Sequence, residues 1–125
     1  PVEVLSRGLV VLFPEPLNQK AEAVMISNGL KSEGFMSEQI TEEDITDNTL
    51  ILTMSEESRQ KIFELFPNVE KEDVAVLTEF VGDELEILNP YGGNLQAYGI
   101  CYETLNKSIK KLVKILNEGE EKCQK

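Results

Sequence analysis

The sequence contains no histidine and no tryptophan. Without histidine, Ser-His-Asp and Cys-His catalysis are excluded, and so is any imidazole-held metal. Arginine is nearly absent: Arg7 and Arg59 are the only two, so bidentate clamps for an anion are scarce. Cysteine occurs at Cys101 and Cys123, 22 residues apart, which is neither a CxxC nor a zinc-ligand spacing. The expectation is a buried thiol at Cys101 and an exposed tail thiol at Cys123. Positive charge is outweighed, with 12 Lys and Arg against 23 Asp and Glu, for a net charge of −11. Nucleic acid and anionic membrane surfaces are therefore disfavoured as partners, because both call for a basic patch. The longest apolar run, LVVLF at 9–13, is far too short to span a bilayer. Carboxylates are plentiful but scattered. EEDITD at 42–47 reads as a helix start and EGEEK at 118–122 as a solvated tail, so neither a metal nor another cofactor is expected. Free thiols without a signal peptide point to the cytoplasm.

What is present suits one domain of 125 residues with a single core. Val2–Leu5 reads as a strand ending in the Ser6-Arg7-Gly8 turn, and LVVLF then runs into the breaker cluster PEPLN. Asn18 to about Ser32 reads as a helix, with Ala21, Ala23, Val24 and Met25 on one side. Gly29 or Gly34 could supply its left-handed cap. Thr41 with Asp44 resembles a capping pair for a short acidic helix. TLILTM at 49–54 and VAVLTEF at 74–80 are continuous apolar runs, as in strands buried on both faces of a parallel sheet. Between them, Ser55 is placed to cap a helix opening on Glu56 and Glu57, with Ile62, Phe63, Leu65 and Phe66 as its apolar side and Pro67 after its end.

The longest helix follows NPYGG at 89–93. Tyr98, Cys101, Tyr102, Leu105, Ile109, Leu112, Val113 and Leu116 recur at spacings of 3, 1, 3, 4, 3, 1 and 3, a helical stripe. Lys107, Lys110, Lys111 and Lys114 take the other side. The alternation of strands and helices predicts an α/β fold with helices covering a mainly parallel sheet in three layers. By its residues alone, Asn89-Pro90-Tyr91-Gly92-Gly93 is a tight turn before the last helix.

LILTMSEESRQKIFELFP at 50–67, VLTEF at 76–80 and NPYGGNLQAYGICYETL at 89–105 together resemble the low-molecular-weight protein tyrosine phosphatases. EPLNQKAEAVMISNGLKSEGFMSEQIT at 15–41 resembles that family's second helix and following loop, and Ser6-Arg7-Gly8 the end of its second strand. The resemblance spans nearly the whole chain and implies a flavodoxin-like sheet. It also implies a site at the carboxyl ends of the strands, bordered by Ser6, Arg7, Met54, Ser55, Asn89, Pro90 and Tyr91. Arg7 and the amides after Ser55 would be its anion contacts.

Two departures bear on activity. The family's nucleophile lies in a CxxxxxR[ST] loop, whose amides and arginine hold a phosphate dianion and lower the cysteine pKa. Here Lys107 stands six residues after Cys101, and two residues follow Cys123. The family's general acid precedes Pro-Tyr, where this chain has Asn89, and an amide cannot protonate a leaving phenolate at neutral pH. No catalytic residue is therefore assigned.

The resemblance also implies that the family's central first strand is missing. Three accounts follow: Leu9–Phe13 fills the slot as strand material, two chains pair open sheet edges in a homodimer, or Pro1 is not the natural start. For function, three readings stand. The first is a truncated or degenerate phosphatase relative, inactive as given, a pseudoenzyme or fragment with weak affinity for a phosphotyrosine-type ligand. The second is a cysteine-dependent phosphatase whose loop comes from a lost N-terminus or a partner chain. The third is an acidic protein-interaction module.

Overall fold

A computed structural model describes residues 3–31, 34–83 and 86–123, the last five by backbone alone. Its elements are α1 (Gln19–Ser27), a 3-10 turn (Glu42–Asp44), β1 (Ile51–Thr53), α2 (Glu56–Leu65), a second 3-10 turn (Lys71–Asp73), β2 (Val74–Val76), α3 (Leu77–Phe80) and α4 (Leu95–Cys123).

Local chemistry sets most boundaries. Asn18 Oδ1 accepts from Lys20 N at 2.9 Å and starts α1. Gly29, at φ +78°, lies just past its end, so Gly29 rather than Gly34 serves the helix stop. The helix is shorter than the expected 18–32, and Ser32 lies outside the described residues. The carboxylate of Asp44 accepts from Thr41 N at 3.0 Å, as that pair's spacing predicts. Ser55 Oγ accepts from Ser58 N at 3.2 Å and opens α2, and Phe66 closes it by donating to Ile62 O just before Pro67.

β1 and β2 run parallel, with Ile51, Leu52 and Thr53 opposite Val74, Ala75 and Val76. The architecture is α/β, with α2 packed on both strands and α3 linking β2 to α4. α1 lies along α4, where Lys20 Nζ donates to Gly93 O at 2.7 Å. Ile62, Val74, Val76, Leu77, Ile87 and Tyr98 are the buried apolar residues of the core.

Four expectations are corrected. VAVLTEF is a strand only to Val76; Leu77–Phe80 then makes one helical turn, which points Leu77 and Thr78 inward. Val2 lies outside the described residues, and Glu3–Leu5 forms no strand. Leu9–Phe13 does not fill the sheet: the sheet has two strands among the described residues, and this run is a bent loop beside Gln39. Two side-chain bonds hold it there, Val11 N to Gln39 Oε1 at 2.7 Å and Gln39 Nε2 to Leu9 O at 2.6 Å. Finally, the α4 stripe is incompletely covered. Tyr98 is buried, but Ile109 and Val113 are exposed, while the polar Ser108 is fully buried.

Ser108 explains that rotation of α4. Its hydroxyl donates to Asp83 Oδ2 at 2.6 Å, and Lys111, one turn on, pairs with Asp83 Oδ1. The cluster ties the end of α3 to α4 across 25 residues of sequence. Asp83 is an unremarkable acid in a Gly-Asp turn by sequence, so its role was not legible. The GD dipeptide after an apolar run was the one available signal.

Candidate functional site

The loop from Asn89 to Asn94 is built by side chains that copy backbone turns. Asn89 Oδ1 accepts from Tyr91 N at 3.0 Å, and Gly93 N donates to Pro90 O at 2.8 Å. Gly92 has φ +82°, a left-handed conformation that favours glycine. At Gly93 a Cβ would come within 2.9 Å of both Pro90 O and Ala97 Cβ. Asn94 Oδ1 then accepts from Ala97 N at 2.9 Å and caps α4. The NPYGGN stretch is thus a turn that delivers a capped helix, with Tyr91 80% exposed beside it. Asn94 was missed in the sequence, although an Asn just before the helical stripe is a recognisable cap. Gly92→Ala is expected to cost about 1–2 kcal/mol through its left-handed backbone alone, read as a lower thermal midpoint.

The expected anion contacts have acidic partners. Arg7 Nε lies 3.1 Å from Asp44 Oδ2, its NH2 lies 3.6 Å from Glu38, and its NH1 donates to Ser6 O at 2.8 Å. At the start of α2, the amide of Glu56 donates to Glu86 Oε2 at 2.6 Å, and Ser55 Oγ takes the amide of Ser58. Met54 is exposed, while Thr53 is buried and bonds the carbonyl of Ser55 at 3.0 Å. Among the described residues, no hydrogen bond joins Ser6 or Arg7 to Met54, Ser55 or Asn89–Tyr91. Two surface concavities lie elsewhere. One, of about 470 Å³, runs between α1 and α4 past Val24, Leu95 and Tyr102; the other, of about 570 Å³, lies over β2 by Arg59 and Phe80. Neither is lined by any of the seven expected residues.

Charge sets the ionisation of these groups. The Thr41 amide, and after it the Arg7 guanidinium, holds the Asp44 carboxyl below its ordinary 3.8. Lys111, and after it the Ser108 hydroxyl, does the same for Asp83. Cys101 is half-buried, and burial pushes its thiol up, the opposite of what a nucleophilic thiolate needs. The side chain of Cys123 lies outside the description. Among the described residues, no group of three or more Cys, Asp and Glu side chains could hold a metal ion, and no helix is long and apolar enough to cross a membrane.

A pH dependence follows. Both carboxyls titrate lower when folded than when unfolded. The stability they contribute is present above about 3.8 and is lost as pH falls through their folded values. Urea midpoints should therefore drop below pH 4 in the native chain, and drop less in Asp83→Asn.

The parallel β1–α2–β2 unit, the Pro-Tyr-Gly-Gly turn and the long helix α4 make an α/β fold. The model of the low molecular weight phosphotyrosine protein phosphatases matches residues 1–122. The chain belongs to that family. It is 32% identical over 111 residues to the low molecular weight protein-tyrosine-phosphatase PtpB of Staphylococcus aureus, covering 89% of this chain and 77% of that one. The structure is similar to the YwlE arginine phosphatase from Geobacillus stearothermophilus, with TM-score 0.88 and 26% identity over 96% of this chain and 77% of the other. It is also similar to a low molecular weight protein tyrosine phosphatase from T. tengcongensis, with TM-score 0.81 and 25% identity over 88% of this chain and 75% of the other.

Proposed function

We propose that these 125 residues by themselves do not hydrolyse phosphate esters, and that they act as a non-catalytic member of the low molecular weight phosphatase family. The observation that carries this is the Asn89 side chain. It stands before Pro-Tyr, where the family has its proton donor, and its amide oxygen is committed to the Tyr91 amide. A leaving phenolate, or the nitrogen of a phosphoarginine, gains no proton from it. Two further observations agree. Cys101 lies within α4, with its thiol pushed up rather than down. Arg7, the cation expected at the site, is already paired with Asp44. Affinity for a phosphotyrosine or phosphoarginine peptide is correspondingly weak on this reading.

The test is p-nitrophenyl phosphate hydrolysis with and without thiol alkylation. Turnover at the buffer rate in both arms is expected. Turnover that disappears when Cys101 is alkylated would sink the proposal.

A second reading is a cysteine-dependent phosphatase whose catalytic loop is supplied by other residues or another chain; among the described residues, β1 is hydrogen-bonded to one neighbour, β2. Asn89→Asp separates the two. On the first reading it leaves the rate at background. On the second, in the assembled protein, it raises hydrolysis of esters with poor leaving groups by roughly 10²–10⁴.

A further inference from the structure

The sequence holds a single Asn-Gly step, Asn28-Gly29, and it falls at the end of α1, where Asn28 is the C-cap. An asparagine before glycine is chemically exposed. Glycine has no side chain to shield its nitrogen, and its backbone can turn so that this nitrogen approaches the asparagine side-chain carbon. Both residues are exposed to solvent. A Cβ at Gly29 would have nothing within 4 Å, so the fold does not crowd the junction.

In the closed helix the two reacting groups are engaged elsewhere. The Asn28 side-chain amide donates to Val24 O at 2.8 Å, satisfying a carbonyl of the last turn. Gly29 N donates to Ile26 O at 3.0 Å, and Leu30 N donates to Met25 O at 2.9 Å. Reaction therefore waits for this turn to open. Opening costs little, because α1 has no buried residue and water can replace these bonds.

We propose that Asn28 is a site of spontaneous deamidation, and that its modification uncaps α1. When the turn opens, the Gly29 nitrogen attacks Cγ of Asn28. The N–Cγ bond forms, the Cγ–Nδ2 bond breaks, and the proton from Gly29 N leaves with the side-chain nitrogen as ammonia. Water then opens the resulting succinimide at either carbonyl, giving aspartate or isoaspartate, with no oxidant or reductant consumed. Neither product restores the cap, since a carboxylate cannot donate to Val24 O. The new negative charge stands at a helix C-terminus, which the dipole disfavours, and the last turn of α1 has no basic residue to offset it. Asn28 also borders the concavity between α1 and α4, whose lining holds Glu103 and neither lysine nor arginine, so the product adds a like charge there. The end of α1 thus loosens from α4. This goes beyond the functional reading above and is independent of whether the chain has activity.

The experiment is incubation of the whole chain at mildly alkaline pH, in buffer and in urea, followed by tryptic digestion and mass spectrometry. Cleavage after Lys20 and Lys31 releases the peptide 21–31, in which Asn28 is the only asparagine. In buffer this peptide should gain the mass of an amide-to-acid exchange before any peptide holding another asparagine does. It should separate into two products, aspartyl and isoaspartyl. Urea, which opens the turn, should speed the gain several-fold. Asn28→Asp, made directly, should speed hydrogen exchange at Gly29 and Leu30 several-fold and leave the amides of α2 as they were. A peptide 21–31 still unmodified when another asparagine has reacted overturns the proposal. So does an equal rate in buffer and urea, or an Asn28→Asp chain whose Gly29 and Leu30 amides keep their native protection.

Discussion

Ile62→Ala is expected to lower the unfolding free energy by about 2–5 kcal/mol. Ile62 is 1% exposed and lies on the face of α2 that packs against β1 and β2. Its removal takes away the transfer free energy of the side chain and leaves a cavity that a rigid strand pair cannot collapse around. The described core has six buried apolar residues, so few neighbours can move in to fill the space. A domain of this size is stable by only about 5–15 kcal/mol, so this one change removes a large share. The measurement is the urea midpoint at unchanged slope. Ile26→Ala, at a position 61% exposed on α1, is the matched control, and its midpoint should scarcely move.

The second large effect is expected at the Asp83 cluster, and its sign is informative. Asp83→Ala removes the acceptor of Ser108, whose hydroxyl is fully buried. A buried hydroxyl left without a partner costs about 1–3 kcal/mol. Lys111 loses its counterion in the same step. Adding Ser108→Ala to Asp83→Ala should therefore recover stability, because the orphaned hydroxyl goes too. A purely additive pair of losses would show that Ser108 is satisfied by something other than Asp83. The end of α3 and the middle of α4 should also lose hydrogen-exchange protection together, since this cluster is the polar link between them.

How far the fold could be read in advance depended on the reach of each interaction. The Thr41–Asp44 pair and Ser55 act on amides three residues away, and both stand where their spacing predicts, while Asn18, read as the first residue of its helix, is the residue that caps it. The family resemblance was legible for a similar reason: LILTMSEES and NPYGG are short strings whose turn and cap chemistry is local. Strand lengths were not. VAVLTEF is apolar throughout, and hydropathy alone cannot show that Leu77 begins a helical turn instead of extending β2. Nor could LVVLF be placed. Its composition predicts a strand, but its position depends on Gln39, nearly thirty residues further along the chain.

The candidate site shows the same division. That position 89 is an amide, that the chain has two arginines, and that no cysteine is followed six residues later by one of them are matters of composition and order. They bound the chemistry without any coordinates. Arg7 was expected to face an anion, yet the fold sets it against Asp44, 37 residues away. The amide of Glu56 was expected to be free for a ligand, yet Glu86, 30 residues on, accepts its proton. An arginine or a helix start has several available partners in a chain of −11, and proximity alone selects among them.

The sequence by itself thus determined where α2 starts and stops, the Thr41–Asp44 pair, the family, and the absence of imidazole and of a carboxylic acid before Pro90. Those depend on neighbours within a turn or on residue identity. Tertiary structure alone decided that α4 turns Ser108 inward and Ile109 outward, and that Arg7 and Glu56 are satisfied by acids of the same chain. Each of these is a contact between segments distant in sequence, chosen by the packing of the whole molecule.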